Sequence, residues 1–479
     1  MRRAKKTLHS YLHRLLGLCS VLALASLAYS QGASDATLNA VRNSDRTDRA
    51  ANGKLAPDIT AAEHMRRGGV YMANRAFASA REHYQAVVDN YPSDVNIPAA
   101  LYGVARSYYQ ERRYEEARQV YEKVAHDYPL TKEGREGANF AASSLLRMGH
   151  GAEAAARYAE YVAKYPNGER LDTAHLNIIE GYREAGRPQD AIAWINRTRE
   201  RFAGNVVEHN AIFARLRLDI ALADWPHAVQ TAEELLQKPF PAGTNTSADE
   251  VLYLKAYSLE RGGRTQGAIN TYLMIPDRMA SYYGGLATNR LAAFNDATAR
   301  QRASERIQTV QAAFDNAAGD YPAPYSFQVV KEAKKRGLDP RLVLAIMKQE
   351  SVFKPNAKSP SAARGLLQLT IDAAQKYGQR AGIKQVTDEM LYQPNVNIAI
   401  GSEYLAELSR MFAGLSEAIA AAYNGGEDNV ARWLGRLNQH DEGIFAAEVG
   451  FTESKNYVFK VMGYYRAYRQ LYTSDLKHR

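Results

Sequence analysis

The sequence contains a single cysteine, Cys19, in 479 residues, and it lacks the short motifs of several common enzyme classes. It has no Gly-rich phosphate loop (GxxxxGK[ST]), no HExxH and no CxxC, which disfavours nucleotide hydrolases and the commonest zinc enzymes. With 46% hydrophobic and 24% charged residues, the chain is too long for one ordinary core and too mixed to be disordered or fibrous. We expect a soluble protein of two or more domains that hold together without disulfide bonds.

The sequence also lacks a large excess of positive charge when residues 1–30 are left out of the count. The formal net charge is +9, from 61 basic and 52 acidic residues, but five of the basic residues and none of the acidic ones lie in residues 1–30. The rest of the chain carries only +4, so the charge balance does not favour a nucleic-acid partner.

Residues 1–30 have the pattern of a signal peptide: a basic start, about fourteen apolar residues, and small residues at Ala28 and Ser30. The apolar stretch is short of the ~20 residues that span a bilayer, and an uncleaved membrane anchor is the alternative. Leu18 before Cys19 is not the small residue that lipid attachment needs, so we expect a cysteine-free mature protein in a bacterial periplasm. Residues 31–57 contain hardly any large apolar residue and are predicted to be a flexible leader.

Residues 58–300 repeat with a period of 37 residues. Each unit has a small residue, a bulky residue four positions later, and an aromatic residue at a chain break, which is Pro in the first three units. These positions are Ala80, Ala117, Ala154 and Ala191; Tyr84, Tyr121, Tyr158 and Ile195; and Tyr91, Tyr128, Tyr165 and Phe202. The pattern resembles the tetratricopeptide repeat, in which the small residue lets two helices approach and proline ends the second helix. We predict an α-solenoid whose tyrosines mainly pack the core, the alternative being that some line a concave binding face.

The repeat stops at about residue 300, and a helix that carries an acid follows. Residues 301–320 are predicted to be a connector and residues 321–479 a second, mainly helical domain, so the fold class is all-α. Asp339 and Pro340 are typical of a helix start. Beyond them one helix face bears, by i, i+3, i+4, i+7 spacing, Val343, Ile346, Met347 and Glu350.

A carboxylate at the end of an apolar stripe should have a raised pKa, because burial disfavours its charged form. Such a group keeps its proton near neutral pH and can donate it to a leaving oxygen. The alternative for Glu350 is a helix-end side chain that turns to water. The other glutamates of this domain, on surface-like segments, are expected to be solvated: Glu389, Glu403, Glu407 and Glu417.

Four short motifs, which occur in this order along the chain, resemble those of a known enzyme family. They are ESVF at 350–353, GLLQ at 365–368, AYNGG at 422–426 and ESKNYV at 453–458. Together they resemble the Slt-type soluble lytic transglycosylases, whose catalytic domain has a goose-type-lysozyme-like fold and acts on bacterial peptidoglycan. The sequence departs from the family pattern in ways that leave subsite detail open: Leu367 for Met, Thr370-Ile371 for Met-Pro, Gly425 for Ala, Ser454 for Thr and Lys455 for Arg.

The resemblance implies a role for each matched position. Glu350 is the expected general acid and then base, and the substrate-binding positions are Ser359, Gln368, Tyr423, Asn424, Glu453 and Tyr457. With one carboxylate, the family reaction uses the 6-hydroxyl of MurNAc as the nucleophile and leaves a 1,6-anhydroMurNAc end. No metal or organic cofactor is expected. The expected partners are peptidoglycan glycan strands and a protein bound through the repeats.

Two other functions stay open at this point. A lysozyme-type hydrolase on the same fold would use water in place of the internal hydroxyl, as glycosidases with two carboxylates do. A scaffold protein would bind glycan through the second domain and recruit cell-wall partners through the repeats. The presence of Glu350 together with Ser359, Gln368, Tyr423 and Asn424 counts against the scaffold.

Overall fold

The computed structural model describes residues 36–49, 53, 55, 58–437 and 441–479, so the predicted signal peptide lies outside the described residues. Within them the chain is helical, with isolated β-bridges and no strand, as the all-α prediction requires. No helix in these ranges has the length and apolar character to cross a membrane.

The helices are numbered in chain order. They are α1 (residues 36–47), α2 (Ala61–Ala73), α3 (Phe77–Asn90), α4 (Ile97–Gln110), α5 (Tyr114–Asp127), α6 (Lys132–Arg147), α7 (Gly151–Lys164), α8 (Leu171–Glu184), α9 (Pro188–Arg201), α10 (Val206–Ala221), α11 (Trp225–Leu236), α12 (Ala248–Arg261), α13 (Thr265–Met274), α14 (Tyr282–Ala293), α15 (Ala297–Asn316), α16 (Ser326–Lys334), α17 (Pro340–Ser351), α18 (Ile371–Gly378), α19 (Pro394–Met411), α20 (Ser416–Gly425), α21 (Glu427–Leu434), α22 (Glu442–Glu448) and α23 (Thr452–Leu471). Two 3-10 turns, Ala318–Asp320 and Glu389–Tyr392, complete the regular structure.

Paired helices follow the 37-residue period of the sequence. The second helices of four successive pairs, α3, α5, α7 and α9, each begin 37 residues after the one before, and each ends at its aromatic residue. The small and bulky repeat residues are buried in all four pairs. The ring of Tyr84 shows the reason for the pattern, because it lies against Gly68 of α2 and Gly103 of α4, where an added Cβ would approach it to 2.7 Å. Stacked pairs of this kind bury a continuous core.

The predicted flexible leader is wrong for residues 36–47, which form α1. Three residues on one face of this helix, Leu38, Val41 and Asp45, are buried against α2 and α3. Asp45 accepts hydrogen bonds from Arg67 at 2.7 Å and from Tyr71 at 2.5 Å. The few apolar residues of this segment lie on one face of the helix, and an adjacent repeat covers them. The segment is therefore ordered although its overall composition is poor in large apolar residues.

The C-terminal helices and the last helices of the solenoid share one hydrophobic core. Residues from α12 to α15 and from α16 to α23 belong to the same buried cluster. The segment predicted as a connector, 301–320, forms most of α15 and a 3-10 turn, and it buries Ala303, Val310 and Phe314.

The solenoid follows the surface of the C-terminal domain and contacts it repeatedly. Ion pairs with N–O distances from 2.5 to 3.3 Å join successive solenoid residues to the domain: Arg42–Asp388, Arg75–Asp372, Arg112–Glu427, Arg183–Glu448, Glu250–Lys455 and Asp277–Arg466. The solenoid is therefore curved around the domain, which it holds through contacts distributed from α1 to the segment before α14.

At the centre of this contact lies a buried charge network. Glu448 of α22 accepts hydrogen bonds from Arg183 of α8 at 2.5 Å and Arg217 of α10 at 3.1 Å. Arg217 and Arg436 both reach Glu180 at 2.6 Å. The surrounding guanidinium groups lower the pKa of Glu448 and of Glu180, despite burial that acts in the opposite direction. Both carboxylates are therefore ionised, and the network fixes the relative position of the two parts of the chain.

Candidate active site

Helix α17 positions Glu350 much as its sequence predicts. The side chain of Asp339 accepts a hydrogen bond from the backbone amide of Arg341 at 2.9 Å, and Pro340 occupies the first turn. Val343, Ile346 and Met347 are fully buried on the predicted face. Packing of this face fixes the helix, and Glu350 is carried at its C-terminal end.

Glu350 is bound by a tyrosine from the last helix. The hydroxyl of Tyr457, in α23, donates a hydrogen bond to Oε1 of Glu350 at 2.6 Å. Burial raises the pKa of Glu350 to about 7; the hydrogen bond from Tyr457 opposes this rise, and the negative charge of Glu453 adds to it. The same burial, with the nearby charge of Glu350, raises the pKa of Tyr457 and of Tyr423 well above 10. Near neutral pH, Glu350 can therefore both donate and accept a proton.

The loop that carries the second motif is bound to the end of α17, next to Glu350. Ser351, directly after Glu350, donates from its hydroxyl to the carbonyl of Leu366 at 2.7 Å. Tyr423 donates to the carbonyl of Leu367 at 2.6 Å. The buried amide of Asn397 accepts from the amide of Leu367 at 2.8 Å and donates to the carbonyls of Arg364 and Leu391. The loop is thus fixed by three side chains from three helices.

Gly365 is required at the start of this loop. Its φ is +78°, and an added Cβ would lie 2.1 Å from the carbonyl oxygen of Leu391. The left-handed conformation together with this close approach excludes any other residue without a shift of the backbone.

The other predicted site residues differ in exposure and in hydrogen-bond partners. The side-chain amide of Gln368 donates to the carbonyls of Ala357 and Gly365, so it supports the loop. The hydroxyl of Ser359 accepts from the amide of Ala363 at 3.1 Å and closes a tight turn. Asn424 is exposed, and its side-chain oxygen accepts from Ser454 at 2.6 Å. Glu453 is exposed, and it acts on Glu350 through its charge.

Two departures from the family pattern have a structural reason. An added Cβ on Gly425 would lie 2.7 Å from the hydroxyl of Ser454, so the glycine makes room for the Ser454–Asn424 hydrogen bond. Lys455 is buried and pairs with Glu250 of α12 at 3.0 Å, so it contributes to docking of the solenoid.

Sequence reasoning missed Asn397 and the hydroxyl of Ser351. Ser351 lay within the ESVF motif, but no motif marked Asn397, which lies in a helix thirty residues from the amide it binds. Two glutamates predicted to be solvated are in fact buried. Glu403 is 8% exposed and pairs with Arg336 at 2.7 Å, and Glu417 is 7% exposed. Their partners come from other helices, which local sequence does not reveal.

The chemistry available to this arrangement is proton transfer by a single carboxyl group. Among the described residues of this site, Glu350 is the carboxyl group that a buried tyrosine, Tyr457, binds, whereas Glu453 is exposed. Among the described residues, no group of three or more His, Cys, Asp and Glu side chains is arranged to hold a metal ion.

Comparison with known proteins finds two family models that match segments of the chain. Residues 328–445 match the transglycosylase SLT domain, and residues 65–130 and 141–206 match the tetratricopeptide repeat. The chain therefore contains tetratricopeptide repeats followed by a transglycosylase SLT domain. The first helix of the site, α17, and the loop at 365–369 both lie inside the matched SLT range.

Relatives with sequence similarity to this chain are named soluble lytic murein transglycosylases. The chain is 32% identical over 158 residues to a putative soluble lytic murein transglycosylase of Haemophilus influenzae, which is 32% of this chain and 26% of that protein. It is 29% identical over 158 residues to the soluble lytic murein transglycosylase of Escherichia coli K12, which is 33% of this chain and 24% of that protein. The similarity thus spans about a quarter of these relatives. A solved lytic transglycosylase Slt from Pseudomonas aeruginosa has a TM-score of 0.49 at 18% identity, over 85% of this chain and 78% of that one.

Proposed function

We propose that this protein is a peptidoglycan lytic transglycosylase that cleaves the β-1,4 bond between MurNAc and GlcNAc, with Glu350 as the single acid and base. The observation that carries the proposal is Glu350 itself, held by Tyr457 and raised in pKa to about 7, within an SLT domain. The names of the relatives support the same reaction class.

The reaction needs two proton transfers and no water. The protonated Glu350 gives its proton to the glycosidic oxygen while the bond from that oxygen to C1 of MurNAc breaks. The carboxylate then takes the proton of the MurNAc 6-hydroxyl as the oxygen of that group bonds to C1, which closes the 1,6-anhydro ring. A pKa close to 7 suits both transfers, because the group is neither a strong acid nor a strong base at neutral pH.

The surrounding residues divide into those that act on Glu350 and those that shape the substrate cleft. Tyr457 orients the carboxyl group through its hydrogen bond. Gln368 and Tyr423 hold the loop at 365–369, which we place under the sugar ring. Asn424 and Glu453, both exposed, and Ser359 are left to contact the glycan directly.

The proposed site of action rests on the substrate and on the signal-peptide pattern of residues 1–30. We propose export to the periplasm, where peptidoglycan is found, with cleavage of the chain after residue 30. The solenoid supports the SLT domain through the contacts described above. Binding of a protein partner by the repeats stays a prediction.

The test is release of soluble fragments from purified insoluble peptidoglycan by the exported chain, 31–479. Glu350→Gln removes the titrating group and keeps the shape, so release should fall by ~10²–10⁴-fold, the usual contribution of a positioned general acid. The matched control is Glu389→Gln, an exposed glutamate of the same domain, which should release fragments at the wild-type rate. Wild-type release from Glu350→Gln would overturn the assignment of Glu350, and no release from folded wild-type protein would overturn the function.

A further inference from the structure

A cavity of about 1010 Å³ lies between the end of the solenoid and the SLT domain, away from Glu350. Its walls come from α14 and α15 on one side and from α20, α23 and the segment after α19 on the other. The residues used below are Leu286, Ile307, Met411, Glu417, Met462 and Arg469. This cavity plays no part in the function proposed above.

The cavity wall contains a buried carboxyl group without a cationic partner. Glu417, in the first turn of α20, accepts a hydrogen bond from the hydroxyl of Tyr282 at 3.3 Å and one from its own backbone amide. Across the part of the chain that the structure describes, no Lys, Arg or His nitrogen lies within 4.0 Å of this carboxyl group. Glu403, buried to the same degree, has Arg336 at 2.7 Å and Arg380 at 3.1 Å.

A buried carboxylate with no counter-charge is unfavourable, and proteins usually pair it or keep it protonated. Burial and the neighbouring charge of Glu442 raise the pKa of Glu417 to about 7. A cation that enters the cavity would supply the missing counter-charge. Glu442, exposed at the cavity mouth, would add a second negative charge beside it.

Part of the remaining wall is apolar and can pack against an aliphatic stem. Arg341 and Arg466 also line the cavity, and each is paired with an aspartate, Asp339 and Asp277 respectively. Leu286 and Met462 are buried side chains of the two facing parts, and Ile307 and Met411 are 43% and 49% exposed at the opening. Exposed large apolar residues around a concave site mark a surface that a ligand can cover. Arg469 lies exposed at the rim and, in the described ranges, makes no ion pair, so it can receive a carboxylate.

We propose that this cavity binds a small ligand that carries a primary ammonium group on an aliphatic stem, with the ammonium group on Glu417 and a carboxylate at the other end on Arg469. The ligand would bridge the solenoid and the SLT domain. It would also rest on α20 and α23, the helices that carry Tyr423 and Tyr457.

The test is isothermal titration calorimetry of the full exported chain with Nα-acetyl-L-lysine, in the absence of peptidoglycan. Nα-acetyl-L-norleucine, which has the same stem and carboxylate without the ammonium group, is the control ligand. Saturable binding of the lysine derivative and none of the norleucine derivative is expected. Equal binding of both, or of neither at millimolar concentration, overturns the proposal. Because no glycan is present, this outcome is independent of whether the protein cleaves peptidoglycan.

Two variants locate the site. Glu417→Gln keeps the hydrogen bond from Tyr282 and removes the charge, so binding should weaken by about 10-fold or more, as for loss of a charge-assisted hydrogen bond. Met411→Trp adds bulk at a half-exposed position of the lining and should block the opening and abolish binding. Glu407→Gln, on α19 but outside the cavity, should bind as the wild type does. Unchanged affinity in both Glu417→Gln and Met411→Trp would place the ligand elsewhere and overturn the proposal.

Discussion

Burial and the hydrogen bond from Tyr457 act in opposite directions on the pH at which Glu350, the proposed acid, loses its proton. This bond is 2.6 Å long, lies in a buried site and stabilises the carboxylate, so it lowers the pKa of Glu350 against the rise caused by burial. Tyr457→Phe removes the hydroxyl and keeps the ring. The charged form of Glu350 then loses its hydrogen-bond donor, and its pKa should rise further.

The size of the shift follows from the strength of the bond. A hydrogen bond to a charged group contributes about 1.5–3 kcal/mol, and one pKa unit corresponds to about 1.36 kcal/mol. Loss of the bond should therefore raise the pKa of Glu350 by about 1–2 units from its value of about 7. Cleavage needs the protonated acid, so the rate falls as pH rises through this pKa, and in Tyr457→Phe the fall should begin at higher pH by the same amount.

The assay is the pH dependence of kcat/KM on a soluble glycan fragment, which reports ionisations of the free enzyme. The matched control is Tyr468→Phe, a buried tyrosine of the same helix whose hydroxyl donates to the carbonyl of Pro322. Its alkaline limb should coincide with that of the wild type. An alkaline limb in Tyr457→Phe that stays in place or moves to lower pH would refute the reasoning.

Three further predictions concern the scaffold around the site. Glu448→Ala leaves the buried guanidinium groups of Arg183 and Arg217 with Glu180 as their remaining shared carboxylate. Because the network then holds one buried negative charge fewer, the variant should lower the free energy of unfolding by up to about 3–5 kcal/mol, measured by denaturant titration; a loss below about 1 kcal/mol would show that the network is not a strong contact. The folded-state pKa values of Glu180 and Glu448 lie below the ordinary value of 4.5, so their contribution to folding stability is present above pH 4.5 and is lost as pH falls below it. The Tm of the wild type should therefore drop more steeply in acid than that of Glu448→Gln. Parallel curves of Tm against pH would contradict this. Gly365→Ala forces a Cβ against the carbonyl of Leu391 and should abolish fragment release and lower the Tm, whereas Gly382→Ala, at an open position with the same sign of φ, should keep activity.

The features that sequence predicted well are set by local and periodic patterns. The repeat positions in α3, α5, α7 and α9 follow a fixed spacing, and each is buried because every unit meets the next in the same way. The helix start at Asp339 and the apolar face that leads to Glu350 depend on neighbours within two turns. Such patterns are visible in one sequence because the interacting residues are close along the chain.

The features that it missed depend on contacts between distant segments. Helix α1 is ordered by α2 and α3. The burial of Glu403 and Glu417 depends on helices far along the chain, and the amide of Asn397 reaches back thirty residues to a loop. The Glu180–Arg217–Glu448 network joins three helices from two parts of the fold. Composition and spacing do not reveal which distant segments of the chain pack together. The burial of a charged residue depends on that packing, so it could not be predicted.

The pairing of a lone acid with an internal nucleophile is the central claim, and the chemical form of the product tests it most directly. Mass spectrometry of soluble fragments released by the exported chain should show 1,6-anhydroMurNAc ends, lighter by one water than hydrolytic products, and Glu350→Gln should form them ~10²–10⁴-fold more slowly. Fragments that end in reducing MurNAc would contradict the account and assign the protein to the lysozyme-type hydrolases.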